Sequence, residues 1–165
     1  AGTLMCTGDI LAQVFIERKS RSTYDLKRSG RFFVFGACVV GPALRTWYGI
    51  LDKIVVTTKK WGPLAKVTLD QSLFAPVFGG IFLYSMTLWG TKSHETSVLK
   101  LKQDYTTILL NNYKLWPAAQ IVNFYFIPLQ HRILYVNFIA VIWNTYLAYE
   151  ANTEVRREPV AEKSS

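Results

Sequence analysis

Three uncharged stretches constrain this chain more than any other feature. Gln71 to Thr91 runs for 21 residues without a charge, Ile133 to Tyr149 for 17 and Leu115 to His131 for 17. A helix needs about 20 mostly apolar residues to cross the roughly 30 Å hydrocarbon layer of a bilayer, so these are membrane lengths. The helices of a soluble all-α core would alternate a polar and an apolar face, whereas Gly79 to Tyr84 and Ile139 to Trp143 carry almost no polar side. The chain therefore reads as all-α, a multi-spanning membrane helix bundle of four or five spans plus one amphipathic surface helix. A single membrane-embedded domain is expected over 1–152, with a solvated, partly disordered tail over 153–165.

Charge and composition narrow the function classes. Nineteen Lys and Arg against eleven Asp and Glu leave a net charge of +8. The basic residues flank the apolar stretches instead of forming a stripe with interleaved exposed aromatics, which suits snorkelling to lipid headgroups and argues against a direct nucleic-acid partner. The expected partner is the lipid bilayer. Two cysteines and two histidines, far apart, make neither a disulfide framework nor a metal site. No phosphate loop or nucleophile elbow occurs either, so no catalytic residue, metal or cofactor is expected, and an enzyme is disfavoured. The chain opens at Ala1, without Met and without the basic start of a secretory signal, so the native N-terminus is expected upstream.

Along the chain, Gly2 to Ile16 reads as a first helix. Asp9 and Gln13 stand one turn apart on one face, with Gly8 and Ala12 offering a small contact surface. A basic connector follows, from Arg18 through Arg28 to Arg31, and reads as a solvated juxtamembrane loop. Phe32 to Ile50 resumes the apolar pattern, with a kink expected at Pro42 and a Trp47-Tyr48 anchor at the interface. Arg45 between them either snorkels to the boundary or lines an aqueous cavity. Trp61-Gly62-Pro63 reads as a turn, and Pro63 starts the next helix. That helix carries Asp70 and Gln71 early, with Lys66 at pairing distance from Asp70, then a bend at Pro76. Lys92 to Tyr113 is amphipathic and is the expected surface helix.

In Trp116 to Arg132, Pro117 reads as the first residue of a helix on which Trp116, Gln120, Asn123 and Ile127 share a stripe. Pro128 breaks it after about 11 residues, roughly 16 Å, too short to span alone. The piece is thus a half-helix, a re-entrant element or the end of a longer span. Ile133 to Tyr149 is another span, with Asn137, Ala140, Asn144 and Ala148 on one face. Polar groups inside such helices mark either a pathway or cross-links between helices. The candidates are Asp9, Gln13, Arg45, Asp70, Gln71, Gln120, Asn123, Arg132 and Asn144, with Asn123 and Asn144 equally readable as helix bridges. Arg132 has no acidic residue from Leu115 to Tyr149 to neutralise it, and Asp70 is its expected partner, ahead of Asp9.

Trp116-Pro117, Gln120, Asn123-Phe124, Pro128, Arg132, Trp143-Asn144 and Tyr146-Leu147 form a specific set. Upstream stand Gly8-Asp9 with Gln13, Gly41-Pro42, Trp47-Tyr48, and Asp70-Gln71 with Pro76. On these residues the sequence resembles, over nearly its whole length, the Mpv-seventeen and peroxisomal membrane protein two family. A departure is Ala148, where the family often has Ser. The resemblance implies an integral membrane protein of four spans in the mitochondrial inner membrane, or else the peroxisomal membrane, with the mitochondrial member the most similar. It further implies a weakly selective pore or channel for small solutes or metabolites, supporting membrane potential, nucleotide homeostasis and mitochondrial DNA maintenance, with room for a homo-oligomer. The alternative is a non-transporting membrane scaffold for protein or lipid partners.

Overall fold

The computed structural model describes residues 1–55 and 61–155. Five helices carry them: α1 (Gly2–Ile16), α2 (Leu26–Ile54), α3 (Gly62–Thr91), α4 (His94–Tyr125) and α5 (Arg132–Asn152). No strand occurs among the described residues. Of the tail expected over 153–165, residues 156–165 lie outside them.

Local chemistry sets most boundaries. The Asp25 side chain accepts a hydrogen bond from the Arg28 amide at 2.9 Å and caps α2. Pro63 sits in the first turn of α3, as its fixed φ favours. Lys92, at φ 58°, ends α3, and Ser93 then caps α4 by accepting from the Thr96 amide at 3.2 Å. Pro128, extended at ψ 144°, separates α4 from α5.

Two of the prolines expected to kink a helix share one construction. Pro42 and Pro76 each follow a wide π turn, Gly36–Val40 and Asp70–Phe74 respectively. The carbonyl a proline ring crowds lies four residues back, at Cys38 and Ser72, in the middle of each π turn, where the loosened winding makes room for the ring. The helix continues through both.

Pro117 behaves otherwise, and corrects two expectations. It does not begin a helix: α4 runs unbroken for 32 residues with Pro117 inside it. Lys92 to Tyr113 is accordingly no separate surface helix but the first two-thirds of α4. Its apolar stripe faces the bundle, with Ile108 buried and Leu101 and Tyr105 packed on the core. Ser97, Lys100 and Asn112 are buried on the same side. Of its polar residues Lys100 is paired internally, donating to the Thr153 carbonyl at 2.7 Å and bridging Asp104 at 2.6 Å, while Lys102 stays exposed.

α1 lies between α2 and α5, while α3 packs along α4. Glycines allow the close approach. A Cβ at Gly8 would stand 2.6 Å from the backbone of Asn144, and one at Gly36 would stand 2.7 Å from the Gly2 Cα. Phe82 meets Phe32 and Phe35 edge-on at 6.2 and 5.9 Å and joins the two halves through the core of Met5, Leu83, Met86 and Ile108. Beyond Gly41, α2 meets the first half of α3 through side chains, with Trp47 stacked on Phe74 at 5.5 Å and Asp52 paired with Lys66. By length and composition α2 and α3 are apolar enough to cross a membrane.

Candidate functional site

The structure divides the polar residues inside the bundle into two systems. In the first, Asp9 and Gln13 are fully buried and bonded to each other at 2.9 Å, as their one-turn spacing implies. They do not face a pathway. Asp9 accepts from Arg28 Nε at 2.5 Å and from Ser29 Oγ at 2.6 Å. Arg28 in turn grips Glu17 with both terminal nitrogens, at 2.9 and 2.7 Å, and donates to the Ala148 carbonyl at 3.2 Å. Gln13 Oε1 accepts from the Asp25 amide at 2.8 Å. The network ties α1, α2 and α5 together. The connector read as a solvated loop thus supplies its centre, because α2 starts at Leu26 and turns Arg28 inward at 3% exposure.

Burial pushes the Glu17 carboxyl up, but the Arg28 and Lys19 charges and hydrogen bonds together outweigh it and hold the group below the ordinary glutamate range.

The second system surrounds a cavity of about 330 Å³ walled by all five helices. This lies within the ~300–1,000 Å³ span of ligand pockets. Gln71, Asn112, Gln120, Asn137 and Asn144 contribute amides to the wall. Trp116, Trp143, Phe74 and Phe78, with Tyr48, Phe82 and Tyr105, contribute its aromatic surface. A chain of hydrogen bonds fixes one side: Trp47 Nε1 donates to Asp70 at 2.9 Å, Gln71 Nε2 donates to Asp70 at 3.0 Å, and Asn112 Nδ2 donates to Gln71 Oε1 at 2.6 Å. Trp47 stacks on Phe74 and Phe74 on Phe78, at 5.5 and 4.9 Å, which holds that wall in register.

Three predicted residues, Gln71, Gln120 and Asn144, therefore meet at one cavity, with Asp70 directly behind it. Others fall elsewhere. Arg45 is exposed and is not part of the wall. Lys66 pairs with Asp52 and leaves Asp70 to Trp47 and Gln71, because the carboxylate turns toward α2 and not back along its own helix. Asn123 is 4% exposed, donates to Gln120 Oε1 at 3.2 Å and keeps its own Oδ1 unpaired.

Arg132 pairs with neither Asp70 nor Asp9. It donates to the carbonyls of Ile127 and Phe124 at 3.2 and 3.0 Å and lies over the Phe124 ring at 5.5 Å. The break at Pro128 leaves the last carbonyls of α4 without helical donors, and Arg132 answers them from the start of α5.

Arg28, Ser29, Asn112 and Lys100 escaped the sequence reading, although periodicity held the signal. Arg28 shares a helical stripe with Phe32 and Phe35, and Asn112 shares one with Tyr105 and Ile108.

Comparison with known proteins bears directly on this arrangement. The Mpv17 / PMP22 family model matches residues 87–148. More broadly, the mitochondrial inner membrane protein Mpv17 of Xenopus laevis is 44% identical across 152 residues, 92% of this chain and 86% of that protein. The chain belongs to the Mpv17 / PMP22 family. The Homo sapiens protein of the same name is 40% identical over the same shares, and protein sym-1 of Neurospora crassa is 44% identical over 88% of this chain and 84% of that one. No solved structure matches. As the resemblance implied, this Mpv17-family member is a membrane protein of the mitochondrial inner membrane. The family-matched stretch holds Asn112, Gln120, Asn123, Arg132 and Asn144, while Asp9, Arg28 and Asp70 precede it.

Proposed function

We propose that the chain forms a weakly selective pathway for small solutes across the inner membrane, with the 330 Å³ cavity as its central chamber. The observation that carries this reading is the convergence of five amide side chains from α3, α4 and α5 on one aromatic-walled space. Polar groups inside a membrane bundle mark pathways when they face a cavity, and although Asn112 bridges to Gln71, both still line the open space. We further propose that α2 to α5 cross the bilayer, giving four spans, since their 29, 30, 32 and 21 residues rise roughly 30 Å or more. On this reading α1 is an additional membrane helix seated between α2 and α5. Support of membrane potential, of metabolite homeostasis and, through uncharged precursors, of nucleotide homeostasis and mitochondrial DNA maintenance would follow from such passage.

Purified protein in planar bilayers tests the proposal. Discrete, solute-permeable conductance that falls in Gln120→Leu is the expected result. Its repeated absence from folded, reconstituted protein would favour a non-transporting scaffold.

A further inference from the structure

No Lys, Arg, His, Asp or Glu side chain lines the cavity among the described residues. The charged side chain bonded to its wall is the Asp70 carboxylate, reached through Gln71. Two bonds also set the polarity of the amides. Gln71 takes the Asn112 Nδ2 donor, leaving the Asn112 oxygen without a described partner, and Asn123 takes Gln120 Oε1, leaving the Gln120 nitrogen without one. The wall thus offers an acceptor and a donor between aromatic surfaces, with no charged side chain.

We infer that this cavity admits uncharged solutes that combine a hydrogen-bonding edge with an apolar body, and excludes phosphorylated and carboxylated ones. A phosphate entering it would shed hydration with no ammonium or guanidinium to replace it, and would approach a carboxylate of its own sign. A neutral amide or hydroxyl can bond the Asn112 oxygen or the Gln120 nitrogen while its apolar part lies against the aromatic wall. The identity of the solute class rests on the pathway reading for passage, but occupancy of the cavity does not.

Because Trp116 and Trp143 line the cavity, their fluorescence reports what enters. Variants keeping one tryptophan each, with Phe at the other four, are placed in nanodiscs and quenched with acrylamide, a neutral amide, or with iodide. At Trp116 and Trp143 the acrylamide quenching constant should exceed that of iodide at least roughly tenfold, the factor that 1.4 kcal/mol of charge penalty produces. At Trp61, 71% exposed, the two should be comparable. Gln120→Lys should raise iodide quenching at Trp116, and Asn112→Leu should lower acrylamide quenching there, in proteins that still melt cooperatively. Equal quenching by both probes at Trp116 and Trp143, or acrylamide quenching unmoved by Asn112→Leu, would overturn the inference. Vesicle flux separates it from the pathway proposal. Selective quenching without acrylamide flux would sink the pathway and leave the cavity chemistry standing, while equal flux of acrylamide and acetate would do the reverse.

Discussion

The Asp9–Arg28 network and the amide-lined cavity both gather polar side chains inside one bundle, yet they differ in where their hydrogen bonds end. In the network every bond closes on protein: both Asp9 oxygens, both Gln13 amide atoms and the Arg28 guanidinium are taken, and Ala12 and Ala148 beside them are fully buried. Around the cavity the chain from Trp47 through Asp70 and Gln71 to Asn112 stops at the open space. A closed network specifies how helices dock, whereas an open one leaves groups for something else to meet. Membrane-buried polarity is therefore not one signal, and the fate of the last hydrogen bond separates weld from site.

Breaking the network should give the largest effect. Arg28→Met leaves Asp9 buried without its counter-ion, and losses of about 3–5 kcal/mol are typical of such orphaned charges. Thermal melting in detergent should show a collapse of the α1–α2 docking, and Asp9→Leu with Arg28→Met should lose less than the two single changes summed. An unshifted melt for Arg28→Met would mean the network contributes nothing to docking.

Next comes the contact that lets α1 into its slot. Gly8→Leu forces a side chain into the Asn144 backbone and should cost about 1–3 kcal/mol or more, as overpacking does. Gly30 is its control, since nothing lies within 4 Å of a Cβ there. Gly30→Ala should stabilise α2 by about 0.5–1 kcal/mol through helix propensity alone. Equal effects at the two positions would contradict the packing of α1.

Cavity amides should respond in the opposite sense, with function moving more than stability. Gln120→Leu removes one neutral hydrogen bond, worth about 1 kcal/mol or less in a membrane bundle, and Gln71→Leu removes two, one of them to the Asp70 carboxylate. Conductance or neutral-solute flux should nevertheless fall clearly in both. Asn123→Leu should change flux less than Gln120→Leu, because Asn123 already carries an unpaired oxygen and lies outside the wall. A lowered melting temperature with unaltered conductance in all three would reassign the amides to helix bridging.

How much of this was legible follows from what each signal depends on. Most of the helices, the turn at Gly62-Pro63 and the irregular winding before Pro42 and Pro76 come from local chemistry, and apolar length plus proline sufficed. Asp9 with Gln13 was legible because i and i+4 share a face. Partner choice was not, since it depends on helix rotation. Asp70 sits equally near Lys66 in sequence and Trp47 in space, and only the turn of α3 decides for Trp47. Arg132 looked like a charge in need of an acid, but the break at Pro128 supplied carbonyls instead. Pro117 misled for a tertiary reason: the interhelical contacts of α4 outweigh the roughly 3 kcal/mol that an interior proline costs.

The smallest expected effect is a pH dependence at the edge of the network, where Glu17 meets water. Glu17 holds Arg28 through both oxygens and Lys19 at 3.0 Å, and its carboxyl is lowered in the folded protein. A carboxyl lowered on folding binds its proton more readily in the unfolded chain, so it contributes stability that is fully present above the ordinary value of 4.5 and is lost as pH falls through the lowered one. Asp9 offers no such exposed handle, being sealed behind Arg28. Melting curves of the natural protein and of Glu17→Gln should therefore differ at neutral pH and converge as pH drops below the glutamate range, the natural protein being the more stable at the upper end. The cavity variants should keep the natural protein's pH profile, since none of them touches Arg28 or Glu17. A Glu17→Gln protein that ran parallel to the natural one at every pH would place the ionic part of the weld entirely in Asp9 and Arg28.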